Sequence, residues 1–177
     1  MDTSLIENQI VLGHLDKYAA IIGLNPSNGA RSPKLWNAAF VEYGLNCSML
    51  SLDVTSDNIL NLLDELNMDV NFIGGAIAVP YKEVVAKWLD TNITPEAKNI
   101  GAVNCLYRNE NGELEGTNTD GEAALRSYES EFGSVNGKTV LILGTGGAAK
   151  AVTAYFVTGV GERGKVIIVG RFGHGKD

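Results

Sequence analysis

The sequence predicts an α/β protein: a mixed, mostly parallel open sheet, followed by the start of a second βαβ unit. Three observations carry that reading. Short apolar runs alternate with helical stretches from residue 18 to residue 89, a βαβαβα rhythm that implies parallel strands joined by right-handed crossovers. A hairpin signal, Asn109-Glu110-Asn111-Gly112, then separates two short strand-like runs. Finally, a glycine-rich turn follows an apolar strand and opens an alanine-rich helix.

The elements follow in order. Residues 18–23 read as a strand. Residues 33–43 read as a helix, with Ser32 as its cap and Pro33 at its first position. Residues 47–52 form a second strand. Residues 57–66 form an amphipathic helix that places Ile59, Leu62, Leu63 and Leu66 on one stripe, with Asp57 as the cap. The run 71–79 is nearly all apolar and reads as a buried strand. A helix at 81–89 is entered from Pro80. Strands at 102–108 and 114–117 flank the hairpin turn, and a helix at 120–131 is capped by Thr119 or Asp120. The polar, glycine-containing break at 133–137 is the expected hinge between a domain over 1–134 and a second over 135–177. A strand at 138–143, a helix at 146–158 and a strand at 165–169 follow, and the polar end reads as a loose tail.

Composition narrows the function classes. The chain has 177 residues, with 14 Lys plus Arg against 21 Asp plus Glu, a net charge of -7. An acidic balance without a basic stretch argues against a nucleic-acid surface. No apolar run approaches the ~18 residues of a membrane-spanning helix. The N-terminus has neither a basic nor an apolar leader region, so a cytoplasmic setting is expected. Two cysteines, Cys47 and Cys105, and two histidines, His14 and His174, do not make a metal set at usable spacing. A reduced, buried thiol pair is expected over a disulfide. Trp36 and Trp88 read as core residues, His14 as a surface or packing residue, and His174 as solvated.

The turn Gly144-Thr145-Gly146-Gly147-Ala148-Ala149 fits G-x-G-x-x-A. Here Gly144 permits the tight turn, Gly146 lets a pyrophosphate approach the backbone, and Ala149 lets helix and strand pack closely. The free N–H groups of the helix N-terminus then face the phosphates. This is the opening of a Rossmann-type domain, and Gly144, Thr145, Gly146, Gly147 and Ala148 are its candidate cofactor residues. The following strand, Val166-Ile167-Ile168-Val169, ends in Gly170-Arg171 without a carboxylate. A guanidinium suits a 2′-phosphate, so Arg171 favours NADP over NAD.

Two further residues carry chemistry. Val79-Pro80-Tyr81-Lys82 puts a lysine at the C-terminal end of a buried strand, the edge at which open α/β sheets bind ligands. Asn118-Thr119-Asp120 opens the helix nearest the expected hinge. Lys82 and Asp120 form a candidate acid–base pair: oxidising a secondary alcohol with a nicotinamide removes the hydroxyl proton as hydride leaves.

Four segments, taken together, resemble shikimate dehydrogenases. They are Val79-Pro80-Tyr81-Lys82, Ile100-Gly101-Ala102-Val103-Asn104, Gly116-Thr117-Asn118-Thr119-Asp120-Gly121, and the run from Gly137 to Lys150. The match keeps order and spacing from about residue 21 to Arg171. It implies a substrate domain with a mixed sheet, a Rossmann-type domain, and NADP-dependent interconversion of 3-dehydroshikimate and shikimate or a related hydroxylated cyclic acid. It also implies Lys82 and Asp120 as catalytic residues and Asn104 as a substrate ligand. A small acid is the expected partner, and a monomer or homodimer the expected state.

The chain departs from the family pattern. Where the family carries Ser-x-Ser-Pro for the substrate carboxylate, this sequence has Ala30-Arg31-Ser32-Pro33, so only Ser32 keeps its hydroxyl. Where the family reads Asn-Val-Thr-x-Pro, this chain has Ala76-Ile77-Ala78-Val79-Pro80. Pro26-Ser27-Asn28 resembles the divergent shikimate dehydrogenase-like branch. Ser27, Asn28 or Arg31 is the expected replacement anion site, with ordinary turn chemistry as the alternative. Family members continue past the equivalent of Asp177, so the chain reads as a fragment or a reduced member. The competing functional class is a non-catalytic module of the same fold that binds a small acid or a nucleotide.

Overall fold

Strand β1 (Lys17–Gly23) is buried at every position after Lys17, which fits a strand with neighbours on both edges and cover on both faces. Its alternation sorts two cores. Tyr18, Ala20 and Ile22 face one apolar cluster, and Ala19 and Ile21 face another. The computed structural model describes residues 2–11 and 13–170. The remaining elements of the first sheet are α1 (Ser32–Glu42), β2 (Cys47–Asp53), α2 (Ile59–Met68), β3 (Phe72–Ile77), α3 (Lys82–Leu89), α4 (Pro95–Ile100), β4 (Cys105–Arg108) and β5 (Leu114–Thr117).

The sheet has five strands in the order β2-β1-β3-β4-β5. β1 pairs parallel with β2 and β3, whereas β4 is antiparallel to both β3 and β5. This is the mixed, mostly parallel sheet expected. Its larger core lies under α2 and α3. Ile59, Leu62, Leu63 and Leu66 of α2 and Val85, Ala86 and Leu89 of α3 pack with Leu52, Phe72, Ile77 and Tyr81. The opposite face is covered by α1, which buries only Phe40 against Ala19, Ile21 and Met49. Trp36 therefore departs from its expected core position. It is 51% exposed and tilts against Phe40, with 5.9 Å between ring centroids.

Local chemistry explains the element ends that differ from expectation. Helix α2 begins at Ile59 rather than residue 57, with Asn58 at the cap position and no side-chain cap bond. The backbone amide of Asn58 bonds Thr55 O instead. β3 ends at Ile77, ahead of a cis Val79–Pro80 bond. β4 starts at Cys105; Ala102 and Val103 are buried in the connection before it, where the Val103 amide goes to Lys82 O rather than to a strand. Helix α4 lies in a stretch that the sequence reading left unassigned. Thr94 Oγ1 accepts its Ala97 amide, Pro95 sits in its first turn, and Gly101 closes it in the left-handed region at φ 71°.

Arg108 fastens the end of α2 to the sheet. Its guanidinium donates to the carbonyls of Leu66, Asn67, Asp69, Phe72 and Gly112 at 2.8–3.0 Å. Leu66 and Asn67 lie in the last turn of α2, Asp69 and Gly112 in turns, and Phe72 at the start of β3. Arg108→Ala should lower unfolding stability by about 2–4 kcal/mol. Urea titration checks this, and a change below about 0.5 kcal/mol would show the carbonyls re-paired with water.

Helix α5 (Asp120–Phe132) leads to β6 (Thr139–Leu143), α6 (Gly147–Val160) and β7 (Lys165–Val169), and β6 and β7 pair in parallel. The break at 133–137 is not wholly polar in its packing. Val135 is fully buried against Phe156 and Val160 of α6, with Tyr128 and Leu125 of α5 alongside. α5 and α6 approach closely because Gly121 and Gly159 carry no side chains. A Cβ on Gly121 would lie 2.2 Å from the carbonyl oxygen of Ala151, and one on Gly159 2.8 Å from Val135 Cγ1. The cysteines Cys47 and Cys105 are free, and burial pushes both thiols above their ordinary range. Among the described residues no helix is long and apolar enough to cross a membrane.

Candidate active site

Lys82 is the first residue of α3, just past the cis Val79–Pro80 bond at the carboxyl edge of β3. The buried Tyr81 before it donates its hydroxyl to Val54 O at 2.7 Å, which anchors the entry to the helix. Lys82 O accepts the amide of Val103, tying the same point to the strand connection. The side chain therefore leaves a braced backbone. Its Nζ lies 2.5 Å from Asp120 Oδ2, with the two side chains 15% and 29% exposed.

Asp120 is held from its other side. Asn104 Nδ2 donates to Asp120 Oδ1 at 2.7 Å and to Thr119 Oγ1 at 3.1 Å, while Asn104 Oδ1 accepts the Thr119 amide at 2.9 Å. Asn118, only 3% exposed, donates to Ala102 O and accepts the Asp120 amide. The result is a network with partners fixed on both sides of the carboxylate. Sequence reasoning singled out Lys82, Asp120 and Asn104. It left Thr119 as a helix cap and gave no role to Asn118. The signal was present: an asparagine two residues ahead of a helix-opening aspartate is an Asx turn.

The candidate substrate residues fall in two places. Ser32, at the start of α1, lines a cavity of about 460 Å³ together with Asn104 and Thr119. Ser27 and Asn28 lie in the turn after β1. Both the amide and the hydroxyl of Ser27 donate to the carboxylate of Asp53, a residue 7% exposed at the end of β2. Asp53 N in turn donates to Asn8 Oδ1. Asn28 is exposed, and its amide closes the turn onto Asn25 O at 3.3 Å. The sequence reading did not identify Asp53, whose two carboxylate oxygens accept the amide and the hydroxyl of Ser27.

The glycine turn lies directly over the lysine. Gly144, at φ 126°, makes the bend that only glycine adopts easily, and its amide bonds Val169 O at 2.7 Å. Gly146 takes the cap position of α6, and no heavy atom lies within 4 Å of a Cβ built there. Thr145 and Ala148 are exposed on the same turn. A Cβ on Gly147 would lie 3.2 Å from both Lys82 Cβ and Ala102 Cβ. Lys150, one turn further along α6, pairs with Glu83 of α3 at 2.8 Å. An open glycine at the N-terminus of a 14-residue helix is a cradle that fits a pyrophosphate. Arg171 and His174 lie outside the described residues.

An open mixed sheet that holds a Lys–Asp–Asn network at its carboxyl edge, beneath the glycine turn of a βαβ unit, defines a two-part α/β class. Residues 21–106 match the family model described as the shikimate dehydrogenase substrate binding domain. The NADP(+) shikimate dehydrogenase of Methanococcus vannielii is 35% identical over 141 residues, which are 78% of this chain and 49% of that protein. That of Moorella thermoacetica is 40% identical over 139 residues, or 78% of this chain and 46% of that protein. A solved shikimate dehydrogenase in complex with NADP+ superposes with a TM-score of 0.78 at 33% identity, covering 88% of this chain and 52% of its own. The Aquifex aeolicus enzyme gives 0.79 at 30% identity, covering 91% and 58%. The chain belongs to the shikimate dehydrogenase family, and it spans about half the length of the curated relatives it matches.

Proposed function

We propose that the chain carries the substrate-binding part, residues 1–134, and the opening of the cofactor part, residues 135–177, of an NADP-dependent dehydrogenase. The reaction is the interconversion of 3-dehydroshikimate and shikimate, or of a related hydroxylated cyclic acid. The observation that carries the reading is the contact between the two parts. The Lys82–Asp120 pair, held by Asn104, lies under Gly147 at the N-terminus of α6. The proton-handling groups and the dinucleotide cradle thus meet at one point. The relatives' names and the Thermus thermophilus enzyme, solved with NADP(H) and shikimate at a TM-score of 0.74 and 29% identity, favour this over a non-catalytic module.

In this reading Gly144, Thr145, Gly146, Gly147 and Ala148 hold the pyrophosphate, and Arg171 meets the 2′-phosphate. Bound NADP supplies the hydride acceptor. The Lys82–Asp120 pair accepts the proton of the reacting hydroxyl in oxidation and returns it in reduction. Asn104 keeps the Asp120 carboxylate turned toward Nζ, and Ser32 offers its hydroxyl to the substrate carboxylate. The direct test is shikimate-dependent reduction of NADP+, followed by nicotinamide absorbance and repeated with NAD+. Absence of reduction with either nucleotide, in protein that binds both ligands, would refute catalysis.

The cradle has a separate test. Gly146→Ala places a methyl in open space at φ -77°, so unfolding stability should stay within about 0.5 kcal/mol of the parent. NADP affinity should nevertheless fall about tenfold or more, because the methyl stands where a phosphate must approach. Equal NADP affinity in calorimetry would remove Gly146 from the cofactor site.

A further inference from the structure

Lys150 occupies a place that disfavours a cation. Helix α6 opens at the cap residue Gly146, and the Lys150 amide makes the first helical bond, to Gly146 O at 3.0 Å. The amides of Gly147, Ala148 and Ala149 before it have no carbonyl ahead of them in the helix. A helix start carries partial positive charge, which attracts anions and repels a lysine. No acidic side chain of the first turn of α6 offsets this. The charge is met from another element instead. Lys150 Nζ lies 2.8 Å from Glu83 Oε2 on α3, the residue directly after Lys82.

That pair is readily exchanged. Its side chains are 45% and 40% exposed, so solvent and salt screen the attraction. Lys150 also lines a cavity of about 410 Å³ together with Gly144, Thr145, Ala149 and Asn99. This cavity borders the glycine turn and shares no lining residue with the one beside Ser32 and Asn104. A phosphate at the turn would offer the ammonium an acceptor that the free amides of α6 also bind, which the Glu83 carboxylate on α3 does not share. Glu83 would in turn stand as a like charge against that phosphate.

On the reading of the glycine turn as the nucleotide cradle, we infer that Lys150 is a pyrophosphate contact held in reserve by Glu83. When the dinucleotide binds, the ammonium leaves the carboxylate for the phosphates. Glu83 is therefore a competitor that lowers nucleotide affinity, and Lys150 a ligand that raises it.

The two partners of one ion pair should then act with opposite sign. Calorimetric titration with NADP+ compares the parent chain, Lys150→Gln, Glu83→Gln and the double variant, each checked for native circular dichroism. Lys150→Gln should weaken binding about fivefold or more, and Lys150→Arg should restore most of it. Glu83→Gln should tighten binding about twofold or more, and that gain should be lost in the Lys150→Gln background. A purely structural strut between α3 and α6 would instead make both single variants bind more weakly. Parent-level affinity in Lys150→Gln, or weaker binding in Glu83→Gln, overturns the inference and leaves the cradle standing. A gain of full size in the double variant overturns the exchange. A loss in Lys150→Gln seen with NADP+ but absent with NAD+ overturns the pyrophosphate contact, since both nucleotides carry that group. Failure of the parent chain to bind NADP+ overturns both the inference and the cradle beneath it.

Discussion

Lys82→Ala should cut turnover by about 10²–10⁴-fold while changing the substrate KM far less. The side chain touches the reacting hydroxyl in the proposed reading, and its loss removes proton transfer while leaving the substrate cavity, whose lining includes Ser32, Asn104 and Thr119 but not Lys82. The backbone around it should not move. Tyr81 is anchored to Val54 O by its hydroxyl, and the Lys82 carbonyl still receives the Val103 amide. Asp120→Asn should reduce turnover less, because the amide oxygen of an isosteric side chain can still accept from Asn104 Nδ2. Steady-state rates of both variants with the acid and NADP+ check the order. Parent-level turnover in Lys82→Ala would remove the lysine from the mechanism and with it the assignment of the pair.

Gly75→Ala should cost about 3–5 kcal/mol of unfolding stability, or prevent folding. Gly75 sits inside β3 at φ 150°, and a Cβ there would lie 1.8 Å from the backbone oxygen of Ala20 on β1. The obstacle is a main-chain carbonyl in the centre of the sheet, which has no rotamer to yield. Gly74 is similar, with φ 121° and Leu106 O at 2.2 Å from its virtual Cβ. The register between β1 and β3 shifts at this point, between Tyr18 and Ala20, so the glycines mark a bulge rather than a weak strand. Chemical denaturation measures the effect. A stable Gly75→Ala protein with native circular dichroism would mean that the bulge can relocate.

The parts of the fold that were readable from sequence are those with a strong period or strong punctuation. The Ile59, Leu62, Leu63 and Leu66 stripe places α2 on its core side, and alternation in β1 divides its residues between two clusters. The strand–turn–helix run from residue 139 needed only its glycines and apolar strand. Helix α4 escaped because six residues are too short for a period, although Thr94, Pro95 and Gly101 punctuate it at both ends. Trp36 misled for a physical reason: side-chain size argues for burial, but α1 covers only part of its face of the sheet and turns the indole toward the cavity. In the site, Lys82, Asp120 and Asn104 could be picked out by residue type and surroundings. The engagement of Ser27 with Asp53 joins the ends of two parallel strands, and no local pattern encodes that pairing.

The small residues of α6 set a spacing. Gly147 and Ala151 lie four apart, hence on one face of the helix. Through that face α6 rests on Lys82, Ala102 and Gly121. The spacer at this face is a missing side chain. A methyl at position 147 would make Lys82 or Ala102 give way by a few tenths of an ångström, so the thickness of one residue sets how closely the glycine turn seats against the lysine.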